Sequence, residues 1–139
     1  MAMGENPTGH VTREEALRLT VGDVMIPNPK TLPPTAVVGD VRRLFERRGV
    51  RTVLLAEDGV FRGALDRRTI PPDAADAELA VGYADLHPTV ATPATAMSEA
   101  IELLERSTEP RLIVLDPDGV TLRGLVCAKP GAAIFCVAG

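Results

Sequence analysis

The side chains that could act as nucleophiles, general bases or metal ligands are few and widely spaced in this 139-residue chain. Its histidines are His10, near the start, and His87, directly before a proline, and its serines are Ser98 and Ser107. Nucleophilic catalysis needs a base within hydrogen-bond reach of the nucleophile, and the sequence shows no such pair. We therefore predict that the protein is not an enzyme, with a catalytic cluster assembled only by folding as the alternative.

The two cysteines, Cys127 and Cys136, are nine positions apart and have no histidine close to them in sequence. This spacing lacks the short pairs typical of zinc sites and redox motifs, and two cysteines are too few for a disulfide scaffold. We interpret both as buried, unreactive thiols, with a redox or metal-binding role as the alternative. The cysteine spacing also leads us to expect no metal site. No signal-peptide pattern opens the chain, so we expect a cytoplasmic protein.

The charge balance argues against a nucleic-acid partner, and the length of the apolar runs argues against a membrane partner. The chain has 15 Lys and Arg against 19 Asp and Glu, a formal net charge of -4, whereas nucleic-acid binding needs clustered positive charge. No apolar run approaches the roughly 20 residues that cross a bilayer. We expect neither a nucleic-acid nor a membrane partner. Four arginines at helical spacing indicate the solvated face of a helix, with anion binding as the alternative: Arg42, Arg43, Arg47 and Arg48.

Two stretches about sixty residues apart contain the same order of sequence signals. The first has Val21-Gly22-Asp23, Thr31-Leu32, an amphipathic segment from Val38, Asp58-Gly59 after an apolar run, and Gly63. The second has Val81-Gly82-Tyr83, Thr89-Val90, an amphipathic segment from Met97, Asp118-Gly119 after an apolar run, and Gly124. Duplicated units of this kind each leave an apolar face open, so we expect the two copies to bury these faces on each other.

Local signals predict the elements of the first copy. The capping-box spacing of Thr12 and Glu15 begins a short helix, amphipathic spacing gives a longer helix, and Asp58-Gly59 gives a hairpin turn between two strands. In order, the elements are a helix through Leu19, a helix over Val38–Arg48 capped by Gly49, and strands over Val50–Ala56 and Val60–Leu65.

The second copy repeats this order. Its elements are an extended Thr89-Val90, a helix over Ala96–Arg106, and strands over Arg111–Leu115 and Leu122–Cys127. The segment 132–137 is either a short helix or a closing strand. A connector rich in proline and acidic residues, Pro71–Ala77, separates the copies. The predicted limits are 1–17 for an N-terminal tail and short helix, 18–75 for the first repeat and 76–139 for the second.

A short strand, an amphipathic helix and two strands joined by an acidic-Gly turn, all given twice, resemble a tandem pair of CBS domains, often called a Bateman module. The resemblance covers about residues 18–137. It implies an α+β fold of two CBS-type β-α-β-β-α repeats packed about a pseudo-twofold axis, assembled as a homodimer. It also implies a non-enzymatic regulatory module that binds an adenosine-containing or related anionic metabolite in a cleft between the repeats.

In this family the nucleotide grip follows the return-strand glycine. A Ser or Thr contacts phosphate and, three positions later, an Asp or Asn holds the ribose diol. In the first copy the two types are exchanged, with Asp66 at the hydroxyl position and Thr69 at the carboxylate position. In the second copy Cys127 and Pro130 supply neither group. The resemblance therefore leaves one ligand site, served by the first copy.

The candidate ligand residues of that site follow from the resemblance and from side-chain chemistry. Arg67 and Arg68 are the predicted phosphate groups, because a guanidinium fork fits phosphate oxygens. The full predicted set is Thr31, Thr52, Val53, Asp66, Arg67, Arg68 and Thr69. Asp66 has a second interpretation, as the cap of a helix that begins near Arg67.

Two functions of different kinds follow. One is a sensor that needs no cofactor and binds AMP, ADP, ATP or S-adenosylmethionine. The other is a degenerate CBS pair that acts as a protein-protein interaction or dimerisation module without ligand. Arg67 and Arg68 favour the first function. The second is favoured by the exchange of Asp66 and Thr69 and by Cys127 and Pro130.

Overall fold

A computed structural model describes residues 10–47, 50–107, 111–128 and 134–136. Its helices are α1 (Arg13–Ala16), α2 (Val21–Val24), α3 (Val38–Phe45) and α4 (Met97–Arg106), with a 3-10 helix at Ala80–Tyr83. Its strands are β1 (His10–Thr12), β2 (Ile26–Pro27), β3 (Thr31–Leu32), β4 (Thr52–Glu57), β5 (Val60–Asp66), β6 (Val90–Ala91), β7 (Arg111–Leu115), β8 (Leu122–Ala128) and β9 (Ile134–Cys136). This mixture confirms the predicted α+β class. None of the described helices is long and apolar enough to cross a membrane.

The chain divides into two compact units. The unit of residues 30–88 is built on a three-stranded sheet in the order β3-β4-β5, in which β3 is parallel to β4 and β4 is antiparallel to β5. Asp58 and Gly59, between β4 and β5, have φ values of 53° and 80°, as a type I′ hairpin turn requires. The predicted hairpin is therefore confirmed. The core of this unit contains Val41, Val53, Leu55, Leu65 and Ala80.

The other unit combines residues 10–29 with the described residues from 89 onwards. Its sheet has the order β1-β9-β8-β7-β6, with β2 paired to β8. Strand β7 is buried along its whole length, so the continuous apolar run at 112–115 is the pattern of a strand covered on both faces. Helix α4 buries one face in the core of this unit: Met97, Ala100, Ile101 and Leu104.

The strand register repeats between the two units. A register shift interrupts the two long hairpins at matching places, after Leu55 and after Val114. The first parallel pairs also match, because Thr31 lies opposite Leu54 and Val90 lies opposite Ile113. Val90, and not Thr89, is therefore the structural counterpart of Thr31.

A short helix from outside the repeat hairpin completes each unit. The N–H groups of Val21 and Gly22 in α2 donate to the carbonyl oxygens of Thr95 and Pro93, both at 2.8 Å. In the unit of residues 30–88, the N–H of Val38 donates to Glu78 at 2.8 Å and that of Ala80 donates to Ala36 at 3.0 Å. In the division into compact units, α2 therefore belongs to the unit that contains the second copy, and the 3-10 helix belongs to the unit that contains the first. The limits 18–75 and 76–139 stay a prediction about the sequence repeat.

Two carboxylates stabilise the chain where it enters α2 and α3. Asp23 accepts the N–H of Thr20 at 3.0 Å, and Asp40 accepts the N–H of Val37 at 3.1 Å. Hydrogen bonding to the charged form lowers the pKa of both carboxyls, and for Asp40 the side chain of Arg43 adds to the effect. Both helix starts are therefore held by ionised groups at neutral pH.

Three predicted boundaries change. The capping box of Thr12 and Glu15 is present, but α1 ends at Ala16 instead of Leu19, because Thr20 already begins the entry to α2. Helix α3 ends at Phe45, and its predicted cap Gly49 lies outside the described residues. Of the two alternatives for 132–137, the strand is correct at 134–136, and the other positions lie outside the described residues.

The return strands β5 and β8 each contain a glycine that another backbone segment approaches closely. A Cβ atom on Gly63 would lie 2.7 Å from the Cβ of Ala84, and one on Gly124 would lie 2.7 Å from the carbonyl oxygen of Ile26. Gly63 also has a φ of 152°, a conformation that only glycine adopts readily. Both strands therefore need glycine at this position for the covering segment to pair.

We expect Gly63→Ala and Gly124→Ala each to lower the free energy of unfolding by about 1–3 kcal/mol, because the new methyl group forces the covering segment away. Urea unfolding measures the loss. The matched control is Gly82→Ala, since no atom lies within 4 Å of the added Cβ there. An equal loss in the control and the test variants would contradict the role of close approach.

Candidate functional site

Three of the predicted ligand residues come together where β5 ends. Thr52 and Asp66 are register partners on β4 and β5, and the Thr52 hydroxyl donates to Asp66 Oδ1 at 2.6 Å. Thr69 joins them, because its Oγ1 accepts the backbone N–H of Asp66 at 2.9 Å. Asp66 is only 5% exposed. Two hydroxyls and a carboxylate thus form one hydrogen-bonded group, which we call the Asp66 cluster.

The interpretation of Asp66 as a helix cap is wrong. Residues 67–69 form a turn instead of a helix, and the N–H of Thr69 closes it by donating to the Asp66 carbonyl at 2.9 Å. The Thr69 hydroxyl bonds back to the N–H of Asp66, as short polar side chains commonly do in turns. The exchange of Asp and Thr between these positions therefore still gives a closed turn.

Arg67 and Arg68 follow the cluster directly and are both exposed. The Arg67 guanidinium lies 5.2 Å from the centre of the Phe45 ring, within cation-π range. Its Nη2 also donates to the carbonyl oxygen of Arg47 at 3.4 Å. Arg67 is therefore positioned by α3, whereas Arg68 lies on the surface beside it in sequence.

Two predicted residues lie apart from the hydrogen bonds of the Asp66 cluster. Thr31, on β3, is exposed and lies opposite Leu54. Val53 is 3% exposed and packs in the core of its unit. Val53 therefore contributes to the core and offers no polar side-chain contact.

An open cavity of about 420 Å³ lies beside α3 in the same unit. Arg42, one of its lining residues, donates to Asp76 Oδ1 at 2.6 Å and to three backbone carbonyls of the connector at 2.8 to 3.3 Å. The prediction of a fully solvated arginine face is wrong for Arg42, which fastens the connector to α3. The lining includes none of the predicted ligand residues: Val37, Gly39, Arg42, Arg43, Glu46, Asp76 and Ala77.

The Asp66 cluster offers groups that can hydrogen-bond to a polar ligand. A carboxylate flanked by hydroxyls accepts hydrogen bonds from a diol or an amine, and the two arginines beside it favour an anion. The described residues contain no group of three or more His, Cys, Asp or Glu side chains able to hold a metal ion.

Comparison with known proteins shows which family model and which solved structures the chain resembles. The CBS domain family model matches residues 21–70. The fold of the chain is that of CBS-pair structures. The CBS-pair protein CBSX2 from Arabidopsis thaliana superposes with a TM-score of 0.68 at 22% identity, covering 77% of this chain and 86% of that one. A search of curated proteins found no match. The predicted resemblance to a tandem CBS pair is confirmed.

Two further similar structures contain nucleotides. CBSX2 in complex with AMP has a TM-score of 0.66 at 23% identity and covers 78% of this chain and 90% of that one. The CBS domain of the bacterial CNNM/CorC family Mg²⁺ transporter in complex with ATP has a TM-score of 0.65 at 17% identity and covers 82% and 84%.

The second copy places different side chains at the same register positions. Arg111 lies opposite Cys127, as Thr52 lies opposite Asp66. Arg111 is 7% exposed, and Cys127 is half-buried rather than fully buried as predicted. A guanidinium and a thiol thus replace a hydroxyl and a carboxylate, while Pro130 lies outside the described residues. The sequence prediction missed Arg111, although it begins its strand as Thr52 begins β4.

We expect Thr52→Val to destabilise the fold by about 1–3 kcal/mol, because the buried Asp66 carboxylate loses the donor that Thr52 provides. Chemical denaturation measures the change. Thr31→Val is the matched control, since it makes the same substitution at an exposed strand position and should cost no more than about 0.5 kcal/mol. Equal stability of the two variants would contradict the prediction that the bond between the Thr52 hydroxyl and the Asp66 carboxylate stabilises the site.

Proposed function

We propose that the chain is a non-enzymatic regulatory module whose first CBS copy binds an adenosine-containing or related anionic metabolite. The observation that carries the proposal is the Asp66 cluster followed directly by Arg67 and Arg68. A hydroxyl-bearing sugar and a phosphate are the two chemical groups that such neighbours recognise. The predicted ligands are AMP, ADP, ATP or S-adenosylmethionine, and no cofactor is required.

The hydrogen bonds within the cluster favour one orientation of the ligand. Thr52 donates to Asp66, so the carboxylate is already oriented and has little freedom left to lose on binding. Phosphate would be repelled by this carboxylate and attracted by the guanidinium groups. The sugar therefore faces Asp66, and the anionic group faces Arg67 and Arg68.

The similar structures support an adenine nucleotide as the ligand class. CBSX2 has been solved with AMP, and the CBS domain of the CNNM/CorC family transporter has been solved with ATP. In this chain the exchange of Asp66 and Thr69 changes the polar contacts, so we propose the class of ligand and not the same set of contacts.

A second candidate function is a protein-protein interaction module without ligand. It is favoured by the second copy, where Arg111 and Cys127 stand at the register positions of Thr52 and Asp66. Neither side chain accepts a hydrogen bond from a sugar diol as a carboxylate does. Loss of this acceptor in one copy argues for a single ligand per chain or for none.

We also propose that the chain is a homodimer, because a chain of this size buries a modest fraction of its apolar surface alone. Light scattering at micromolar concentration should give about twice the chain mass of 14.7 kDa. A monomer at every concentration in a dilution series would reject the dimer while leaving ligand binding untouched.

Calorimetric titration with AMP, ATP and S-adenosylmethionine tests the ligand proposal. We expect one ligand per chain for at least one of the three. The double variant Arg67→Ala, Arg68→Ala should lose about 1.5–3 kcal/mol of binding free energy for each charged hydrogen bond removed. Cys127→Ala should bind as the wild type does, because the second copy contributes no phosphate contact.

The matched control is the double variant Arg43→Ala, Arg62→Ala, which removes the same charge from two exposed positions of the same unit. Its affinity should stay close to that of the wild type. Equal losses in both double variants would mean that only net charge matters. Two equal sites per chain would reject the assignment to the first copy, and no binding of any of the three ligands would favour the interaction module.

A further inference from the structure

The aromatic ring of Phe45 links helix α3 to the arginine that follows Asp66. The guanidinium carbon of Arg67 lies 5.2 Å from the centre of this ring, within the range of cation-π attraction. Phe45 is the last residue of α3. Its side chain is half-buried and packs against the core of its unit, so the core holds the ring in place.

The backbone at the end of α3 makes a second contact with the same guanidinium. Arg67 Nη2 donates to the carbonyl oxygen of Arg47 at 3.4 Å. The N–H of Arg47 in turn donates to the carbonyl oxygen of Leu44 at 3.0 Å, so this peptide continues the last turn of the helix. Carbonyl groups at the C-terminal end of a helix carry partial negative charge and attract cations. The ring and the helix end therefore favour the same position of the Arg67 charge.

Helix α3 is fastened at its start and along its length. Asp40 accepts the N–H of Val37 at the helix start, and Arg42 donates to Asp76 Oδ1 of the connector. The ring of Phe45 and the carbonyl of Arg47 thus have defined positions. A flexible arginine side chain that contacts both loses less conformational freedom when it binds a ligand.

These contacts still allow the guanidinium to bind an anion. Attraction to the face of a ring uses none of the five N–H donors of an arginine, and the Arg47 carbonyl takes one of them. Arg67 is exposed and directly follows Asp66. The other N–H groups can therefore form the paired hydrogen bonds by which a guanidinium holds phosphate.

We propose that Phe45 is a positioning residue that, through Arg67, sets how strongly the first copy prefers a nucleotide to the uncharged nucleoside. This inference rests on the proposed function. Adenosine and its phosphates share the base and the sugar, so only the side of the site that binds the anion distinguishes them. A side chain without a ring at position 45 keeps the charge of Arg67 but releases the guanidinium, so the cost of ordering it falls on phosphate binding.

The test measures the dissociation constants of AMP, ATP and adenosine by calorimetry on the full chain. Phe45→Leu should weaken the binding of AMP or ATP about 2–5-fold, as loss of an exposed cation-π contact predicts, and should leave adenosine unchanged. Phe45→Tyr keeps the ring and should keep the preference of the wild type. In a chain that already carries Arg67→Ala, Phe45→Leu should cause no further loss. Where Phe45→Leu does not fold, Phe45→Met makes the same test.

The matched control is Leu44→Val, which changes a neighbouring side chain of α3 that packs against the same core and has no ring. Its preference for the nucleotide should equal that of the wild type. Equal weakening of nucleotide and adenosine by Phe45→Leu would mean that Phe45 only supports the fold, and would overturn the inference. A further loss from Phe45→Leu beside Arg67→Ala would also overturn it, because the effect would then bypass Arg67.

The same titrations separate this inference from the proposed function. Nucleotide binding that Phe45→Leu leaves unchanged would overturn the role of Phe45 and leave the proposed function standing. Binding of S-adenosylmethionine but of neither nucleotide would have the same meaning. A wild-type chain that binds none of these ligands would reject both.

Discussion

The close approach of a second backbone segment to each return strand is the constraint on which both units depend. The second segment approaches β5 most closely at Gly63 and β8 most closely at Gly124. In each unit the approaching segment follows directly on the short helix that completes the core, so Asp85 pairs with Ala64 and Ile26 pairs with Leu125. A side chain at either glycine would displace the segment. Displacement of the segment would also move the short helix before it, and buried residues of these helices, such as Ala80 and Val21, would lose their packing.

The strand register then decides which side chains meet. The same positions of the two hairpins hold Thr52 with Asp66 in one copy and Arg111 with Cys127 in the other. A carboxylate only accepts hydrogen bonds and a guanidinium only donates them, so the two copies favour different ligand groups. The duplication is therefore preserved in the backbone, while the chemistry of the two copies has diverged.

Much of the fold could be predicted from local signals, because strand Arg111–Leu115, helix α4 and the turn at Asp58 are determined by residues close in sequence. The site was less predictable. Three of the candidates, Thr52, Asp66 and Thr69, lie together at the end of β5. The turn after Asp66 depends on a bond between Thr69 and a backbone N–H, whereas the sequence also allowed a helix cap there. Arg42 resembled its exposed neighbours until folding brought the connector to it. The register pairing of position 127 with position 136 depends on the path of β9 along β8. The spacing of these residues along the sequence does not indicate that path.

The charges around the Asp66 cluster argue for a ligand with two unlike ends. Two like charges about 4 Å apart repel by about 1 kcal/mol in water and about 4 kcal/mol near a protein surface. The repulsion between a phosphate and the buried carboxylate would therefore exceed the free energy that one hydrogen bond contributes. A neutral sugar placed against Arg67 and Arg68 would leave both guanidinium groups to water. Free phosphate or a simple sugar therefore satisfies only half of the site. Of these three ligands, a nucleotide alone would offer both a diol for Asp66 and an anion for the arginines, which supports the proposed ligand class.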